Sequence, residues 1–190
     1  MRTRLFAIAA VLAAAATAPA ADYGLTKGTP EIKSISALAI GPDGILFVGD
    51  PQSAAVFAID TGDKAATSPS PVNMPQLDAK LAGLLGVTPA DVSVADMKVN
   101  PASGNVYLAV GRGKSAAAPA VVVLDRSGGL KPLATKDVMF GKVAIPNPGG
   151  GGKGGPAGVI TSMAFVDGKL VVAGLSSEEF ASTLRVIPFP

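Results

Sequence analysis

The chain has 190 residues, with 16 basic and 14 acidic side chains, 23 glycines, 16 prolines, and neither cysteine nor histidine. Those two absences exclude disulfides, thiolate nucleophiles, lipid attachment at cysteine, and every site built on an imidazole, from zinc sites with histidine ligands to a serine–histidine pair. With no tryptophan and only Tyr23 and Tyr107 as tyrosines, the chain also lacks an aromatic platform for carbohydrate or single-stranded nucleic acid.

Residues 1–20 read as an export signal. Arg2 and Arg4 precede an apolar run from Leu5 to Ala16, and Ala18 and Ala20 form an A-x-A site with cleavage after Ala20. The run is shorter than the ~18–20 residues that span a bilayer. No stable membrane insertion is therefore expected after cleavage, and the mature part 21–190 is expected in the periplasm or outside the cell. Losing Arg2 and Arg4 leaves 14 basic and 14 acidic groups. A neutral mature chain with dispersed cations has no long-range field for nucleic acid.

The mature part reads as three similar units, at about 31–75, 90–140 and 157–190. The first predicts strands over 34–40 and 45–50, joined by Gly41-Pro42-Asp43-Gly44, and a third strand over 54–60. A helix is predicted at about 77–85: Leu77, Leu81, Leu84 and Leu85 share one face, Asp78 sits in the first turn, and Gly86 is placed as a stop. It reads as a packed decoration on a sheet edge. The second unit predicts strands over 92–99, 106–111 and 120–125, with either Pro132–Ala134 or Val138–Phe140 as a fourth. A glycine-rich loop over 147–158 leads to the third unit, with strands over 160–165, 169–174 and 183–187 and a turn at Asp167-Gly168.

Gly49, Gly111 and Gly174 end the second strand of each unit, 62 and 63 residues apart. This period, with hairpin-linked strands in each unit, predicts an all-β, β-propeller-like fold: three blade-type antiparallel sheets and one short helical insertion. Closed propellers take four to eight blades. Three units are thus expected to be an N-terminal part of a larger propeller, or to pair with a second copy.

Few residues point to chemistry. Gly111-Arg112-Gly113-Lys114-Ser115 is not a phosphate loop, because Leu108 stands where the first glycine is needed. Arg112 and Lys114 can form a small basic patch on one rim, a weak candidate surface for a ligand or partner. Asp96 is the one acid inside a predicted inner strand. It is a weak candidate for a metal ligand, calcium being the ion that carboxylates and carbonyls would hold, or it bonds a neighbouring backbone N–H. Ser36, Ser93 and Thr161 recur at similar places in the first strands, with no base to activate them. No catalytic or cofactor-binding residue is assigned.

The stretches Leu38–Gly49, with Gly41-Pro42-Asp43-Gly44 at its turn, and Met97–Ala109, with Asn100-Pro101 at its turn, resemble blades of the NHL, SMP-30 and YVTN-like β-propeller group. The resemblance implies a propeller, and an activity among binding scaffolds, metal-dependent lactonase-type hydrolases and quinoprotein-like oxidoreductases. The expected function is an exported binding or scaffold module, with a protein or small-molecule partner on the blade loops. The alternatives are a metal-dependent lactonase-like hydrolase, or a fragment whose site is completed by further residues.

Overall fold

The structure, a computed structural model, describes residues 23–66, 71–113, 119–149, 158–178 and 181–190. The export signal at 1–20, Lys114 and most of the glycine-rich loop lie outside the described residues. In chain order the elements are β1 (Thr26–Gly28), β2 (Ala37–Ile40), β3 (Ile45–Asp50), β4 (Ala55–Asp60), α1 (Leu77–Leu85), β5 (Val92–Val99), β6 (Val106–Arg112), β7 (Ala120–Leu124), β8 (Leu130–Pro132), β9 (Val138–Ala144), β10 (Ser162–Val166), β11 (Lys169–Leu175) and β12 (Ser182–Pro188). They form three antiparallel sheets: sheet 1 in the order β1-β9-β4-β3-β2, sheet 2 in the order β5-β6-β7-β8, and sheet 3 in the order β10-β11-β12. Among the described residues no sheet closes on itself. The predicted all-β, open propeller-like fold with one short helical insertion is what the structure has.

The inner strand β2 packs against β10 on one side and β5 on the other. Sheet 1 is therefore the middle layer, and the spatial order is sheet 3, sheet 1, sheet 2. Its strands carry apolar residues on both faces because both faces are covered. Phe47, Val56 and Ala58 join Met163, Leu170 and Val172 of sheet 3. Leu46, Val48, Phe57 and Ile59 join Tyr107, Ala109, Val121 and Val123 of sheet 2. Each fully buried Val, Leu, Ile, Phe or Met side chain among them contributes about 1.5–3 kcal/mol.

The hairpin turns follow the sequence chemistry. Asp43 and Gly44 have φ of 50° and 73°, and Asp167 and Gly168 have 48° and 73°, the left-handed region that glycine and aspartate tolerate. The repeated glycines have a separate cause. A Cβ on Gly49 would stand 2.8 Å from Ile160 Cγ2, and one on Gly174 would strike the Val159 carbonyl. Both glycines let backbone pass close to the segment that enters sheet 3.

Helix α1 occupies the predicted residues, and Gly86 ends it at φ 69°. It lays Leu81 onto Leu108, Val110 and Val122, covering much of the outer face of sheet 2. Of the two candidate fourth strands, the second sheet takes the earlier segment, as β8, which pairs Leu130 with Leu124 and Pro132 with Val122. The later segment, β9, crosses back to sheet 1, where Phe140 pairs with Ile59 and Ala144 with Ala55. With β8 already on the edge of β7, the exposed edge of β4 is the available partner, and Phe140 gains contact with Phe57 at 6.4 Å between ring centroids.

Candidate functional site

Asp96 lies at an irregularity of β5, where the register with β6 shifts between Val94 and Asp96. The shift brings its carboxylate to the neighbouring sheet. The Leu38 amide of β2 donates to Oδ2 at 2.8 Å, and Lys98 Nζ approaches both oxygens at 2.8 and 2.9 Å. Of the two readings of Asp96, the structure shows the bond to a neighbouring backbone N–H. Lys98 Nζ forms a part-exposed ion pair with the same carboxylate. Among the described residues no group of three or more acidic side chains could hold a metal ion. On the other side of β2, Ser36 Oγ donates to the Ile160 carbonyl at 2.7 Å. Thr161 Oγ1 donates within sheet 3 to Ala173, while Ser93 is exposed. The repeated hydroxyls therefore do not converge on one point.

Arg112 stands at the end of β6, opposite Val92 in β5. It lines a groove of about 340 Å³ between α1, the outer strands of sheet 2 and the segment leading into β2. Ile32, Ile35, Leu84, Leu85, Val121 and Leu133 supply most of the remaining wall. The groove thus joins an apolar surface to one guanidinium, a combination that orients an apolar ligand by its acidic end. Arg112 was singled out by the sequence; the groove was not. Its walls come from segments at 30–35, 84–85 and 119–135, which no local pattern connects.

Two carboxylates, Asp50 at the end of β3 and Asp63 after β4, organise the polar interior. Asp63 accepts hydrogen bonds from Asn100 Nδ2 at 2.9 Å, Ser103 Oγ at 2.7 Å, Asn105 Nδ2 at 3.1 Å and Tyr107 Oη at 2.9 Å. Burial pushes its carboxyl up, but the donors Ser103, Tyr107, Asn100 and Asn105 outweigh burial and hold it below the ordinary value. Burial, with the Asp63 charge added to it, pushes the Tyr107 phenol well up. Asp50 is fully buried and accepts from the Lys33 and Ser34 amides and from Ser34 Oγ. Burial raises this carboxyl too, and the bonds from Ser34, Lys33 and Ser53 bring it below its ordinary value. Every oxygen of these clusters faces donors of the same chain. They act as clasps within the chain.

No family model and no curated protein matches the chain. Among solved structures, a streptogramin B lyase aligns at 13% identity over 87% of this chain, with a TM-score of 0.29. The alignment spans 59% of that protein's chain.

Proposed function

We propose that this is an exported binding module whose ligand is an apolar molecule or peptide segment bearing an acidic group, seated in the Arg112 groove. The observation that carries the reading is the placement of Arg112 in a groove whose other lining side chains are apolar apart from Thr135, with backbone polar groups exposed between them. A carboxylate or sulfonate against a guanidinium gains a charge-assisted hydrogen bond of about 1.5–3 kcal/mol. Apolar contact with Leu84, Leu133 and Ile35 adds burial without fixing orientation. The proposed role is non-catalytic: Arg112 holds the ligand, and the acidic clusters support the sheets.

The test uses 8-anilinonaphthalene-1-sulfonate, an apolar anion, as a fluorescent probe on the purified protein. Arg112→Gln is expected to weaken binding by about tenfold or more, the effect of losing one charge-assisted bond. Leu84→Glu, at an exposed position of α1, is expected to weaken it by placing an anion at the groove. Unchanged probe affinity in both variants, with unchanged melting temperatures, would sink the assignment. Calcium-dependent hydrolysis of a lactone by the same protein would overturn its non-catalytic part.

A further inference from the structure

We infer that Asp50 is a positioning residue for the Arg112 groove, pinning the strap 29–36 whose isoleucines form one wall of it. The inference rests on the reading of that groove as a ligand site. Asp50 does not line the groove. It is fully buried at the end of β3, and it acts on a ligand only through the strap.

The strap connects β1 to β2, the two edge strands of sheet 1. Those edges stand four strand spacings apart, about 19 Å. The eight residues between Gly28 and Ala37 reach about 26–29 Å when extended, so the segment crosses the sheet with little slack. None of its residues joins a strand. Pro30, Ile32 and Ile35 line the groove. Both isoleucines rest half-buried against the core between sheets 1 and 2. Apolar contact is non-directional, so it holds them to that surface without fixing where along it they lie.

The fixed position comes from Asp50. Lys33 and Ser34 lie between the two isoleucines, and both amides donate to the carboxylate, at 2.8 Å to Oδ2 and 3.0 Å to Oδ1. Ser34 Oγ donates to Oδ1 at 2.6 Å and accepts from the Gln52 amide at 3.0 Å. The Ser53 amide donates to Oδ1 at 3.2 Å. One carboxylate thus ties the middle of the strap to β3 and to the turn before β4. Toward the ends the ties are different: Thr29 Oγ1 accepts from the Asp137 amide, and the Ser36 amide donates to the Gly49 carbonyl. Loosening the middle therefore moves the groove wall while the ends stay in place.

The test is titration of the full chain and its variants with 8-anilinonaphthalene-1-sulfonate, reading affinity and the emission maximum of the bound probe. Amide hydrogen exchange over 32–35 is followed alongside. In Asp50→Asn the side-chain amide must turn its NH₂ toward Lys33 or Ser34, setting donor against donor. Binding is expected to weaken about fourfold or more, the loss of about one methylene of buried contact. Emission of the bound probe is expected to shift to the red as water passes the wall, and the Lys33 and Ser34 amides to exchange faster. Ser34→Ala removes the hydroxyl and keeps both backbone bonds. It is expected to act in the same direction and less strongly, and it decides the question if Asp50→Asn does not fold.

Asp63→Ala is the control. It breaks a clasp of the same kind, whose partners Asn100, Ser103, Asn105 and Tyr107 do not line the groove. It is expected to lower stability while leaving affinity and emission unchanged. Equal weakening in Asp63→Ala would mean general loosening of the fold and overturn the inference. Parent-like binding in Asp50→Asn and Ser34→Ala, with Arg112→Gln still weakening the probe, would overturn it too and leave the groove standing. Unchanged affinity in Arg112→Gln is the separate failure of the groove itself, and the inference falls with it.

Discussion

The two faces of sheet 1 are joined to their neighbours by different means. Toward sheet 3 the junction is aromatic and tightly spaced. Phe47 stacks on Phe165 at 5.5 Å and meets Phe189 edge-on at 5.0 Å, while Tyr23 stacks on Phe189 at 5.1 Å. Gly49 leaves room there for the side chains of Ile160 and Met163. Toward sheet 2 an apolar layer is closed by polar clasps: Asp63 gathers donors from the turn between β5 and β6, and Asp96 reaches the Leu38 amide. The contrast separates shape from direction. Apolar packing resists pH and is sensitive to lost volume, whereas a carboxylate clasp fixes the position of its partners and titrates.

The largest expected effect lies on the aromatic side. Phe47 is buried, and Phe47→Ala removes the ring that two others contact. The expected loss is about 3–5 kcal/mol in urea unfolding, the range for emptying an aromatic core site. The loss should be the same at neutral and at mildly acidic pH, because no proton is involved. A loss below about 1 kcal/mol would show that the neighbouring rings refill the space, and that the junction does not depend on this ring.

On the polar side, Asp63→Ala removes one acceptor shared by Ser103, Tyr107 and Asn105; Tyr107 Oη keeps the Thr61 hydroxyl and Asn100 Nδ2 keeps the Asp63 backbone carbonyl. The expected cost is about 1–3 kcal/mol, that of removing a shared acceptor from several buried donors. The pH signature sets it apart from Phe47→Ala. The Asp63 carboxyl is held below the ordinary aspartate value of 3.8 in the folded protein. Its contribution is therefore fully present above the unfolded value and is lost as pH falls through the lower, folded one. The parent should lose stability in acid, and Asp63→Ala should flatten that loss in part, since Asp50 is shifted in the same direction. An identical acid limb in parent and variant would remove Asp63 from the account.

The same contrast divides what the sequence made legible. Strands, hairpin turns and α1 follow from period, Gly and Asp placement, and leucine spacing, all local signals. The aromatic junction was half legible, since Gly49 and Gly174 announced a repeat without saying what approached them. The Asp63 clasp was not legible, because its donors lie 37–44 residues away and Thr61-Gly62-Asp63 satisfies turn chemistry by itself. The available hint was Tyr107, a tyrosine in an apolar strand whose hydroxyl needed a partner. The return of β9 to sheet 1 was equally hidden. Val138–Ala144 suits any strand edge, and the choice depends on which edge β8 leaves open.

The smallest effect is expected at Asp96, and it decides between two roles for one residue. Asp96→Asn keeps an acceptor for the buried Leu38 amide and loses the pair with Lys98 and the second oxygen, which accepts from the Met97 amide. That pair is part-exposed, at 22% and 33% for the two side chains, so the expected loss is under about 1 kcal/mol. Asp96→Ala also orphans the Leu38 N–H, and should cost about 1 kcal/mol more. The order Ala worse than Asn, with calcium leaving the melting temperature of the parent unchanged, is the pattern of a clasp between β5 and β2. A calcium-dependent rise in melting temperature that Asp96→Asn abolishes would reverse the assignment, because a cation would then have displaced Lys98 from the carboxylate.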